Sequence, residues 1–158
     1  MFDELTKYYQ TLAAENKRIG SFVGMDVAEF TSYAGEGGIQ YPCLCMETMT
    51  GVLSSTRSDN ENTAATGGFA VLCAVNEGDY TAETEALQTA FEIGVQILAR
   101  MRRDKNEMRI QEFLEMDIDN VPWETIGPVG PDNAFGILFK LKTYHPIDLY
   151  FNPEDWNV

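Results

Sequence analysis

Residues 68 to 104 read GFAVLCAVNEGDYTAETEALQTAFEIGVQILARMRRD, and this stretch decides the fold. It opens on Phe69-Ala70-Val71-Leu72-Cys73-Ala74-Val75, the most apolar run in the chain. Apolar side chains at odd and even positions alike predict an interior strand over 68–76, covered on both faces. Asn76-Glu77-Gly78-Asp79 is turn chemistry. A long helix follows, with Thr81 as its predicted N-cap and Glu83 and Glu85 placed where the helix dipole favours acids. Leu87, Ala90, Phe91, Gly94, Ile97, Leu98 and Met101 recur at helical spacing and form a broad apolar stripe. Ala90 and Gly94 are small enough to let another element come close. The helix ends on Arg100, Arg102, Arg103 and Lys105, four of the eleven basic residues in the chain. Such a cluster complements the dipole on a solvated face. Its other use is as a subunit or partner contact, a basic patch that pairs with an acidic patch on another chain.

Upstream of this pair, Leu5, Tyr8, Tyr9 and Leu12 share one helical face and predict a packing helix over 2–18. Asp3 and Glu4 stand at its start, Lys17 and Arg18 at its end, and Gly20 is the expected stop. Asp26-Val27-Ala28-Glu29 fits a capping box ahead of a short helix over 27–33. Gly35, Gly37 and Gly38 then break the chain without the spacing of a phosphate-binding loop, which predicts a mobile loop. Residues 40–49 alternate, with Tyr41, Cys43, Cys45 and Glu47 on one face and Leu44 and Met46 on the other. Pro42 suits the start of an edge strand. Val52-Leu53 predicts a second, short strand. The polar stretch 54–67 is expected to be the tip of a long hairpin that reaches a partner.

Downstream, Leu114, Met116 and Ile118 alternate with Glu115, Asp117 and Asp119, the pattern of a half-exposed strand with an acidic outer face. Together with Glu112 these acids have the chemistry for acid–base work or calcium, but the calcium-loop pattern is absent and a solvated face is the simpler reading. Residues 126–133 read as turn throughout. Phe135, Ile137, Phe139 and Leu141 then give the cleanest period-two pattern in the chain, with Lys140 and Lys142 on the other face. This strand is expected to pair antiparallel with the one before it. A single domain over 1–143 leaves a tail, 144–158, whose Leu149, Tyr150, Phe151 and Trp156 are too apolar to stay idle and are expected either to fold back on the body or to dock on a partner. Tyr150, Phe151 and Trp156 join the basic cluster as candidate subunit or partner contacts.

With 158 residues the chain is long enough for one cored domain and short for two. Its net charge of −14 disfavours nucleic acid and anionic membranes. No apolar run approaches the ~18 residues of a membrane span, and the acidic, aromatic start MFDELTKYYQ is no secretory signal. Three cysteines do not make a disulfide framework, so a reducing cytoplasm is expected. His145 has no neighbouring nucleophile. Cys43, Cys45, Cys73 and His145 amount to four zinc donors, yet the close cysteine pairs of zinc sites are missing and buried free thiols are the expected state. No catalytic, metal or cofactor-binding residue is predicted, and the chain is not expected to be an enzyme.

The resulting order predicts an α+β two-layer sandwich, with a mostly antiparallel sheet, a long helix after the central strand and the N-terminal helix packed on it. It resembles the tail terminator and tail-completion proteins of long-tailed bacteriophages and prophages. The resemblance runs through the helix bearing Leu5 to Leu12, the strand YPCLCME, the strand FAVLCAV with its helix, and the closing segment IGPVGPDNAFGILFKL. It implies a non-catalytic structural protein without a cofactor. Such a protein forms a homo-oligomeric ring, often hexameric, that terminates or joins the tail and meets other tail or neck proteins. The acidic balance would suit a channel through which DNA passes without sticking. An alternative from another class is a small ligand- or peptide-binding module, which a monomer with a deep apolar pocket would favour.

Overall fold

A computed structural model describes residues 2–24, 38–55, 61–109, 115–146 and 154. Its order is α1 (Phe2–Glu15), β1 (Ser21–Val23), β2 (Cys43–Met46), β3 (Thr50–Ser55), β4 (Glu61–Ala74), α2 (Tyr80–Asn106), β5 (Glu115–Asp117), β6 (Trp123–Val129) and β7 (Ala134–Pro146). The expected α+β architecture is present. The described strands form one mixed sheet in which only β1 and β2 run parallel.

Its axis is the antiparallel pair β4–β7, in register from Asn62↔Pro146 to Ala74↔Ala134. Each of these long strands carries two short strands in tandem along its outer edge. On β4, β3 covers residues 61–66 and β2 covers 69–72. On β7, β6 starts against Ala134 and reaches Phe139, and β5 takes over at Lys142–Tyr144.

The period-two pattern sorts the core into two layers. Phe69, Val71 and Cys73 on β4 and Ile137, Phe139 and Leu141 on β7 face the helices. There they meet Leu5, Tyr9 and Leu12 of α1 and Ala90, Ile93, Ile97 and Met101 of α2. Phe69 and Phe139 stack at 5.0 Å. The close approach foreshadowed by Gly94 is to the Phe139 ring: a Cβ on Gly94 would lie 2.0 Å from its Cε2. On the opposite face, Ala70, Leu72 and Leu138 pack with Val23, Ile39, Cys43, Cys45 and Ala134. The interior strand is thus buried on both sides, as its composition requires.

Several boundaries differ from expectation. Helix α1 ends at Glu15, so Lys17 and Arg18 lie beyond it, in a turn where the Asn16 side chain accepts from the Arg18 amide. β2 is no edge strand, because β1 pairs with it on the far side. The N-cap of α2 is Asp79 rather than Thr81; its carboxylate accepts from the Ala82 amide at 3.0 Å. β4 begins at Glu61, eight residues ahead of the apolar run, so much of the expected hairpin tip is itself strand. Residues 126–129 belong to strand β6 rather than to the expected turn, and only Gly130–Asn133 form the turn. β7 continues to Pro146, which takes Tyr144 and His145 out of the tail. The expected helix over 27–33 lies outside the described residues, as do Tyr150, Phe151 and Trp156.

Candidate interaction surface

Two surfaces compete as contact sites: the basic end of α2 and the end of the sheet that holds β3. The first is largely occupied by its own chain. Asp104 is buried at 1 % exposure on the helix-facing side of α2. It accepts from Arg100 Nε at 2.8 and 2.9 Å and from the Tyr8 hydroxyl at 3.0 Å. Arg100 also reaches Glu15 at the end of α1. These contacts lock the two helices together and hold the Arg100 guanidinium more firmly protonated than usual, chiefly through the Asp104 hydrogen bond. Burial, and next the bond to Asp104, pushes the Tyr8 phenol well up. Lys105 donates to the Met116 carbonyl at 2.8 Å, and Arg102 donates to that of Ile118 at 3.3 Å. Both tie α2 to the β5 segment. Arg103 pairs with Glu107 one turn on. Of the four predicted contact residues, Arg102 and Arg103 keep more than half of their side-chain surface in solvent.

The second surface was only hinted at in the sequence. β3 pairs with β4 from Thr50↔Thr66 to Ser55↔Glu61. At this end the helix-facing side of β4, β5 and β7 stays covered, with Thr63, Ala65, Leu141, Thr143 and Met116 all buried. The other face is open. Val52, Ala64 and Tyr144 stand side by side across three strands, with Thr50, Thr66 and Lys142 in the next row. They line an open depression of 340 Å³. Val52 is 68 % exposed and Leu53, on the other side of the same strand, 64 %. These are large exposures for aliphatic side chains in a sheet.

The zinc-donor residues do not converge. Cys43 and Cys45 share a face, with sulfurs 3.7 Å apart. Cys73 lies on the opposite face, in the helix-side core. His145 sits roughly 33 Å along β7 from Phe135, the partner of Cys73. The Cys43–Cys45 hydrogen bond, then burial, drives the Cys43 thiol far up, and burial pushes Cys73 to about 11. These thiols stay protonated and unreactive. Asp117 and Asp119 are exposed. Among the described residues no group of three or more His, Cys, Asp or Glu side chains could hold a metal ion. A 600 Å³ depression at the other end of the sheet is also open; Tyr41, Glu77 and Asp132 line it, and the Tyr41 hydroxyl donates to Asp132 at 2.9 Å.

Compared with known protein families and with curated protein sequences, the chain matches none. No described helix is long and apolar enough to cross a membrane.

Proposed function

We propose that the chain is a non-catalytic structural protein of a phage or prophage tail, assembling with copies of itself into a ring that terminates or joins the tail. The observation that carries this reading is the β3 end of the sheet. There a long hairpin ladder presents Val52 and Leu53 to solvent on an uncharged edge, surface of the kind that assembling proteins cover with a neighbour. The element order supports it as well: an N-terminal helix, a hairpin-bearing sheet, a long helix after the central strand and closing strands. The chain departs from the expected pattern in having the extra strand β1 and three strands rather than two after α2.

On this reading the protein assembles in the host cytoplasm, ends up in the tail particle, and has tail or neck proteins as further partners. Of the four basic residues at the end of α2, Arg102 and Arg103 are the ones exposed enough to reach a neighbour. The net charge of −14 would keep a DNA conduit from binding its cargo. Negative-stain electron microscopy of the concentrated protein tests the proposal. Closed annular particles of uniform rotational symmetry are expected. Particles of single-chain size at every concentration, and on addition to purified tail tubes, would count against it.

A further inference from the structure

We propose that β3 is a self-pairing edge: Thr50–Ser55 of one copy joins the same strand of a second copy, antiparallel, about a two-fold axis normal to the sheet.

An edge strand exposes a row of unpaired amides and carbonyls, and proteins that must stay apart blunt such edges with charge, proline, bulges or shortness. Among the described residues, three of the four free edges are blunted. β1 is three residues long. β5 is as short and holds Glu115 and Asp117. β6 carries Glu124 and Pro128, and its register breaks between Ile126 and Val129. β3 has none of these devices. Its six residues, TGVLSS, include no charge and no proline, and its ladder with β4 is unbroken.

The occupant follows from the same inventory. In a chain of net charge −14, an uncharged edge lets a second copy pair without like charges placed opposite one another. Among the described residues, the one free edge of a second copy that matches β3 in length and neutrality is β3 itself. Symmetry then limits the register. A two-fold axis normal to the sheet keeps every side chain on its own face, so residues opposite one another differ by an even number. Val52 opposite Val52 satisfies this. It also extends the row Tyr144, Ala64, Val52 of one copy into Val52, Ala64, Tyr144 of the other, an apolar band crossing both sheets. This contact goes beyond the proposed ring, whose closure needs two different patches meeting head to tail.

The V52C variant, treated with a short bis-maleimide linker, tests the pairing; the three native cysteines are buried and should stay silent. Expected is a covalent dimer from V52C and at least tenfold less from T66C, which is exposed on the same face but one strand further from the axis. The V52K variant, with its urea midpoint checked to show that it folds, should halve the solution mass of the non-covalent species. Cross-linking of V52C no stronger than that of T66C, or a wild-type chain that stays monomeric at high concentration, overturns the pairing. Annular particles without V52C cross-linking would overturn this contact and leave the ring reading standing. V52C dimers without annular particles would do the reverse.

Discussion

Strand β4 passes through two environments along one continuous ladder with β7. From Gly68 to Cys73 it is buried, with α1 and α2 over one face and the Val23–Ile39–Cys43 layer over the other. From Thr63 to Gly67 its helix-facing residues are still buried, but Ala64 is only partly covered and Thr66 is exposed. The backbone pairing is the same in both halves, so hydrogen bonding does not distinguish them. Apolar burial does, at about 1.5–3 kcal/mol for each large aliphatic side chain fully covered. One half spends its apolar surface inside the chain, while the other leaves Val52 and Leu53 exposed.

The sharpest way to break the comparison is to damage the buried half. Phe139→Ala removes the ring that stacks on Phe69 and sits beneath Gly94. It should lower stability by about 3–5 kcal/mol in urea melts, the usual range for a buried aromatic. Asp104→Ala comes next. It strips Arg100 and Tyr8 of their shared acceptor and should lose about 3 kcal/mol, with the α1–α2 contact loosened. Asp104→Asn keeps the shape and should recover part of that loss.

A smaller, pH-linked effect also belongs to the buried half. Burial raises the Cys73 thiol from 9.0 to about 11, and the Cys43 thiol and the Tyr8 and Tyr9 phenols shift the same way. These groups are neutral in the fold and ionise first in the unfolded chain. Stability from them is intact below about pH 9 and falls as the pH rises towards 11, because the unfolded state then binds fewer protons. Urea midpoints measured from about pH 8 to about pH 10.5 should decline only in the upper part of the range.

The smallest effect on folding is expected at the exposed half. Val52→Lys and Leu53→Lys should each change stability by no more than about 0.5 kcal/mol, as surface substitutions do, while removing the contact between β3 strands. A large loss of stability in either would mean that this edge is covered within the chain.

What could be read from the sequence follows the strength of the periodic signal. The run Phe69–Val75 and the alternation Phe135–Leu141 each bury a face fixed by composition, so both strands and their helix were visible. Glu61–Gly67 was not, because Glu, Asn, Ala and Gly disfavour strands and outnumber Thr63 and Thr66, which favour them. These residues are extended because β3 and β7 pair with them on both sides. β1 is three residues with no period to detect. β6 hid behind Gly127 and Pro128, which signal a turn but here occupy the irregular stretch between Ile126 and Val129. Asp104 stands among the charges of a polar helix end, where burial is not expected. Its spacing from Ile97 and Met101 places it on the buried stripe, and that spacing with Arg100 four residues earlier was the available signal. The exposed edge was legible only as Val52-Leu53 beside a polar stretch; that no charge guards it becomes meaningful once the other edges are seen to be guarded.

The central claim is that this chain assembles with itself through surface the fold leaves uncovered. Solution mass by light scattering, over a concentration series of the wild-type protein and of V52K, tests it most directly. The account predicts a discrete oligomer for the wild type, growing in with concentration, and a smaller species for V52K. A wild-type mass equal to that of a single chain across the whole series would contradict it.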